Sequence, residues 1–210
     1  MSIVDEDRDE NFGSELEAQR WKEASQALKF GERDRAIALF KQLAELGDWR
    51  AAAALGFIFE SQGPEDRNCY VHAAHWYSNA LAKEERPEPH LGLARYYCYG
   101  LGGRKDYLKA LEHLENASAQ RNPEAALMLA TLLAAGVDHI PPDIPRAKQY
   151  YEIARNAGYP LAMSRLSKIA FSEGRWITGI RLGIQGFILL VKLRLKDGND
   201  PKLIGFLREG

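Results

Sequence analysis

The stretch Pro89–Gly102, PHLGLARYYCYGLG, decides the fold. Leu93 and Tyr97 stand four residues apart, so they share one face of a helix, with Ala94 beside them. Gly100 and Gly102 then stop that helix, because glycine tolerates the positive φ that a helix end often needs. The same arrangement returns from Ala51 to Gly63 and from Ala125 to Gly136, and a further copy begins at Ala162. The corresponding positions Ala51, Pro89, Ala125 and Ala162 are separated by 38, 36 and 37 residues. Self-similarity at a period near 37 is the mark of a helical solenoid. No segment alternates with period two for long enough to read as a strand.

Taken in order, the chain predicts five helical hairpins. Residues 1–13 form an acidic lead-in with too few apolar groups to offset the entropy of ordering, and they are expected to be disordered. Ser14, with Glu17 three residues on, reads as a capping box. A helix follows through Trp21, Ala24, Ala27 and Leu28 and ends at Gly31. Asp34 is the expected cap of the next, whose inner face carries Ala36, Ile37, Phe40 and Leu43 and which ends at Gly47. The second hairpin pairs Ala51, Leu55, Gly56 and Phe59 with Ala73, Trp76, Tyr77 and Ala80, and Pro87 and Pro89 punctuate its exit. The third pairs the opening stretch with Tyr107–Ala119. The fourth pairs Ala125, Leu129 and Leu133 with Ala147, Tyr150, Tyr151 and Ala154, across the Pro-rich loop VDHIPPDIP. A fifth first helix carries Ala162, Leu166, Ser167 and Ala170. Where helices cross, Ala and Gly let backbones approach and the larger side chains fill the remaining gaps. The repeats are therefore expected over 14–174, followed by an atypical apolar and basic capping helix and tail over 175–210.

The recurring pattern, A-x3-L-[GA]-x2-[YF], a glycine-bearing turn, then A-x2-[WY]-Y and a late Ala, resembles the Sel1-like repeat, a relative of the tetratricopeptide repeat. It is carried by Ala51, Leu55, Gly56, Phe59, Gly63, Ala73, Trp76, Tyr77 and Ala80. It returns at Leu93, Ala94, Tyr97, Gly100, Gly102, Asp106, Ala110 and Ala117, and again from Ala125 to Gly158. Pro89 in place of the leading Ala and Leu133 in place of the aromatic are departures. The resemblance implies an all-α fold, a right-handed α-solenoid of about five antiparallel helix pairs, acting as a non-enzymatic scaffold or adaptor. It also implies which first-helix positions line the concave face. Among them, Arg50, Phe57, Arg95, Tyr99, Thr131, Lys168 and Phe171 are the candidate partner-binding residues. Leu91, Cys98, Leu127 and Leu161 are further expected lining positions. A groove that mixes apolar groups with arginines suits an extended or helical peptide bearing a carboxylate, which Arg can bind bidentately.

With 46% hydrophobic and 27% charged residues, the 210-residue chain has ordinary globular usage, and its formal charge of −1 makes no electrostatic case for nucleic acid. The charge is uneven, acidic at the start and basic toward the end. Cys69 and Cys98 form neither a CxxC pair nor a metal spacing, and as free thiols they suit a reducing compartment. The start has no signal-peptide pattern, so a cytoplasmic location is expected. No phosphate-binding glycine loop, GxSxG elbow or defensible carboxylate pair appears, so neither an enzyme nor a cofactor is expected. Cys69, His72 and His75 could place ligands on one helical face, but no second ligand pair completes a metal site. His90, His113 and His139 read as isolated. Gly100–Lys105 offers glycines beside cations that could cradle an anion, although the repeat already requires a turn there.

The C-terminal stretch is different. Leu182–Val191 is apolar apart from Gln185 and two glycines, with Arg175, Arg181, Lys192 and Arg194 around it. It is shorter than the roughly 20 apolar residues of a membrane span. The leading expectation is the buried second helix of the last hairpin. A peripheral helix at the inner membrane through residues 175–196, or a self-association surface, are the alternatives.

Overall fold

The computed structural model describes residues 15–197 and 200–203. The acidic lead-in and the expected cap Ser14 lie outside them. Ten α-helices run through the described residues: α1 (Glu15–Lys29), α2 (Arg33–Glu45), α3 (Trp49–Gln62), α4 (Asn68–Lys83), α5 (Pro87–Tyr99), α6 (Tyr107–Ala119), α7 (Pro123–Ala135), α8 (Ile144–Asn156), α9 (Pro160–Ser172) and α10 (Trp176–Lys196). A short 3-10 turn follows at Pro201–Leu203. The five expected hairpins are these helices taken in pairs. The chain divides into two compact units between Ala117 and Ser118, within α6.

Local chemistry sets the helix ends. Asp48 and Asn122 accept backbone N–H bonds at the starts of α3 and α7, and Asp143 does the same for α8. Asp34 does not cap α2 as expected. Glu32 holds the N-cap position without a side-chain cap bond, and Asp34 falls in the first turn. Pro87 is not a helix exit; it opens α5 in the first turn, where a missing N–H costs nothing. Gly100 ends α5 at φ 62°, and the N–H of Leu101 turns back to the Tyr96 carbonyl.

In the first unit, α1, α2 and α3 share a core of Ala24, Ala36, Phe40, Leu43, Ala51 and Leu55, with Trp21 edge-on to Phe40 at 5.2 Å. The next layer is built around Tyr77 of α4. Its ring fills the gap left by two glycines: a Cβ on Gly56 of α3 would lie 2.6 Å from it, and one on Gly92 of α5 only 2.3 Å. Tyr77 is buried with Ala73 and Leu93. One aromatic side chain therefore spaces three helices.

In the second unit the equivalent residue is Tyr151 of α8, buried with Ala147, Ala154, Leu129 and Ala130. Its hydroxyl donates to Thr131 Oγ1 at 3.4 Å. Helix α10 packs along α9 through Gly179, Leu182 and Gly186, and the Ser167 hydroxyl donates to the Gly179 carbonyl at 2.7 Å. Only that face is buried. The expectation of a buried last helix therefore holds for one side of α10 and fails for the other. The helix is also longer than the apolar run suggested: at 21 residues it is long and apolar enough to cross a membrane, by length and composition alone.

The glycine seats around Tyr77 yield a direct test. Gly92→Ala should destabilise the protein by about 1–3 kcal/mol in urea unfolding, as overpacking does. In Gly92→Ala/Tyr77→Leu the combined loss should fall short of the sum of the two single losses, because the smaller side chain vacates the space that the new methyl needs.

Candidate functional site

The first-helix residues picked out by the sequence separate into three groups. Phe57 and Tyr99 are exposed, at 40% and 46%. They sit on α3 and α5, one turn before Glu60 and one turn after Arg95. Those two residues tie the helices together: Arg95 Nε donates to Glu60 Oε1 at 2.7 Å and its Nη2 to Oε2 at 2.8 Å. The Tyr77 hydroxyl donates to the same Glu60 Oε2 at 2.7 Å. Burial, and then the Glu60 charge, hold the Tyr77 phenol well above its ordinary pKa, so it remains a donor. Arg95 was expected to offer its fork to a partner's carboxylate, but it already holds a carboxylate of this chain.

Arg50 is committed in the same way. Its Nε and Nη2 each lie 3.0 Å from an oxygen of Asp48, the α3 cap, and its guanidinium lies 5.5 Å from the Trp21 ring centre. The third group is packing. Leu91, Cys98, Leu127 and Leu161, expected to line a groove, are buried. Helix α5 explains two of them, since it touches α3, α4 and α6 and little of its circumference is left open. Burial also pushes the Cys98 thiol up, away from thiolate chemistry. In the second unit, Thr131 returns its hydroxyl to the Leu127 carbonyl at 2.8 Å. Phe171 is half-buried, edge-on to Trp176 at 5.5 Å and against Gly179. Lys168 of α9 is exposed. In the first unit the face therefore consists of Phe57 and Tyr99 around a neutralised ion pair.

His90 and His113, read as isolated in the sequence, are brought together. Their Nδ1 atoms lie 2.8 Å apart, and Glu85 accepts from His90 Nε2. With that proton on Nε2, the neutral His90 presents its Nδ1 lone pair, so His113 Nδ1–H is the donor. Tyr97 stacks on His113 at 5.8 Å with 8° between the rings. The cluster pins α6 to α5. A signal was present: residues 90 and 113 are equidistant from the Leu101–Gly102 turn, and in an antiparallel hairpin such residues face each other. Burial first, and then the repulsion that a second positive ring at His90 would add, lower the His113 pKa below its ordinary 6.5.

An open pocket of about 400 Å³ lies beside this hairpin, lined by Tyr96, Tyr97, Gly102, Arg104, Lys105, Asp106 and Lys109. The anion position at the start of α6 is filled from within. Asp106 Oδ1 accepts from the Lys109 N–H at 3.0 Å, and Lys109 Nζ lies 3.7 Å from Asp106 Oδ2. No group of three or more His, Cys, Asp or Glu side chains able to hold a metal occurs among the described residues.

Two tests follow from these contacts. Arg95→Ala should lower stability by about 1.5–3 kcal/mol in urea unfolding, the range for a hydrogen bond to a charged group, and Tyr77→Phe by about 1 kcal/mol. For His113, a folded pKa below the unfolded one means that the unfolded state binds more protons as pH falls. The histidine contribution should therefore be complete above pH 6.5 and decline below it. His113→Gln should show a shallower loss of stability over that interval than the wild type.

Comparison with known proteins places the geometry in a group. The Sel1 repeat family model matches residues 32–48, 49–83, 90–122 and 123–159. An uncharacterized protein of Neisseria meningitidis serogroup B is 36% identical over 94 residues, 45% of this chain and 20% of that protein. The exopolysaccharide production negative regulator of Rhizobium leguminosarum bv. viciae is 28% identical over 170 residues, 74% of this chain and 62% of that protein. The chain thus spans less than two thirds of either relative. A crystal structure of a Sel1 repeat protein from Oxalobacter formigenes superposes with a TM-score of 0.64 at 22% identity, covering 86% of this chain and 78% of that one. At that identity the likeness concerns the fold, a helical-repeat solenoid.

Proposed function

Because the chain belongs to the Sel1 repeat family, whose members are generally non-catalytic scaffolds for protein interaction, we propose that it binds a protein segment on the face lined by its first helices, the concave face of the solenoid. The observation that carries this reading is the pairing of exposed Phe57 and Tyr99 on either flank of the Glu60–Arg95 bridge. Exposed aromatics on a rigid support lose little entropy when they are covered, and aromatic side chains are enriched among the residues that dominate interface energies. Phe57 and Tyr99 are the anchors in this reading. Arg95 holds the helices that carry them. The protein acts without chemistry of its own. A cytoplasmic place is part of the proposal, supported by the free thiols of Cys69 and Cys98.

The test is affinity capture from the native host with the wild type beside Phe57→Ala/Tyr99→Ala. Each side chain is partly covered, so the variant should lose on the order of 1–2 kcal/mol, and urea unfolding beside the capture checks that it remains folded. A protein retained by the wild type and lost from the variant supports the reading. Equal capture by both removes it. Arg95→Glu is unsuitable as a binding probe, because it sets two carboxylates against each other in place of an ion pair.

A further inference from the structure

The outer face of α10 is the largest feature that the scaffold reading does not use. Its inner face is fixed on α9. A Cβ on Gly179 would lie 3.0 Å from the Phe171 ring, and one on Gly186 would lie 3.0 Å from Met163 and 3.3 Å from the Pro160 carbonyl. The other face is open. Trp176, Ile177, Ile180, Ile184, Phe187 and Leu195 are 54–86% exposed. At 100° per residue they fall in an arc of roughly 100°, an unbroken apolar stripe along a helix about 31 Å long. Arg181, Lys192 and Lys196 follow in the adjoining arc, and Arg194 stands at the opposite margin; all four are exposed. From Trp176 to Lys196 there is no Asp or Glu.

We propose that α10 docks this chain on an anionic lipid bilayer surface, lying in the plane of the headgroups with the apolar stripe immersed. A helix with an apolar stripe, a basic margin and aromatic residues on the stripe fits that boundary, where the stripe leaves water and the basic groups meet lipid charge. Two properties favour this occupant over the alternatives. A second copy of α10 would bring two basic rows together with no acid on either helix to meet them. A membrane-spanning arrangement would strip α10 from α9, exposing the close glycine contacts and the Ser167–Gly179 bond, and would carry Arg181 and Gln185 into hydrocarbon.

The test is co-sedimentation of the full chain with vesicles of phosphatidylcholine alone and with added phosphatidylserine. Binding to the anionic vesicles, at least tenfold tighter than to the neutral ones and weakened by salt, is expected. Ile184→Asp/Phe187→Asp should abolish it, and Arg181→Glu/Lys192→Glu should abolish the preference for anionic lipid. All four side chains are exposed, so thermal unfolding should match the wild type, and a variant that unfolds early is replaced by Ile180→Ser/Phe187→Ser. Failure of the wild type to bind anionic vesicles overturns the proposal. So does equal binding by the stripe variants, and so does a lipid-free oligomer that dissociates in Ile184→Asp/Phe187→Asp. The Phe57→Ala/Tyr99→Ala variant should bind vesicles as the wild type does, which keeps this result separate from the fate of the scaffold reading.

Discussion

Tyr77 cannot sit where it does unless Gly56 and Gly92 leave room for its ring, and the first unit depends on that fit. The two glycines weaken helix propensity by up to about 1 kcal/mol each. In return α3, α4 and α5 close around a single aromatic, whose hydroxyl reaches Glu60 and, through it, Arg95. Packing and polar bonding are therefore one construction here. The ring sets the spacing, and the carboxylate collects both a phenol and a guanidinium. In the second unit Tyr151 occupies the equivalent place, and its hydroxyl meets Thr131.

Much of this was legible beforehand because the packing positions are apolar or small and recur. The step from Ala51 to Ala162 located the starts of the second to fifth hairpins, and Gly100, Gly47 and Gly158 marked helix ends that the backbone confirms with positive φ. Of the paired aromatics in the repeat pattern, Tyr77 and Tyr151 are the buried members, while Trp76 and Tyr150 are half-buried. Periodicity reports which positions avoid water. It is silent about where a long polar side chain finds its partner. Arg95 and Glu60 are 35 residues apart, nearly one repeat, so they are neighbours only because successive repeats stack. Arg50 turned back two residues to its own helix cap, an option as short-ranged as any, yet invisible in a register built on apolar spacing.

The two faces of α10 were obscured for a different reason. Ile184 and Phe187 look in the sequence like the core of a last hairpin, while the residues that make the real seam with α9 include Gly179 and Gly186. A small residue at a close helix crossing buries little area of its own, so a hydrophobicity pattern assigns the inward side to the larger residues. His90 and His113 were missed because each was read alone, although their symmetry about the Leu101–Gly102 turn places them opposite each other.

The bridge between α3 and α5 has a kinetic meaning as well as a structural one. One turn from Phe57 and from Tyr99, the charges of Glu60 and Arg95 cancel at contact distance, so little field extends from that pair into solvent. On the proposed reading, a partner that covers these rings is not drawn in from afar by this pair, and an unsteered association has a rate on the order of 10⁵–10⁶ M⁻¹s⁻¹. Selectivity on such a surface resides in how long a complex lasts once the two rings are covered, and thus in dissociation.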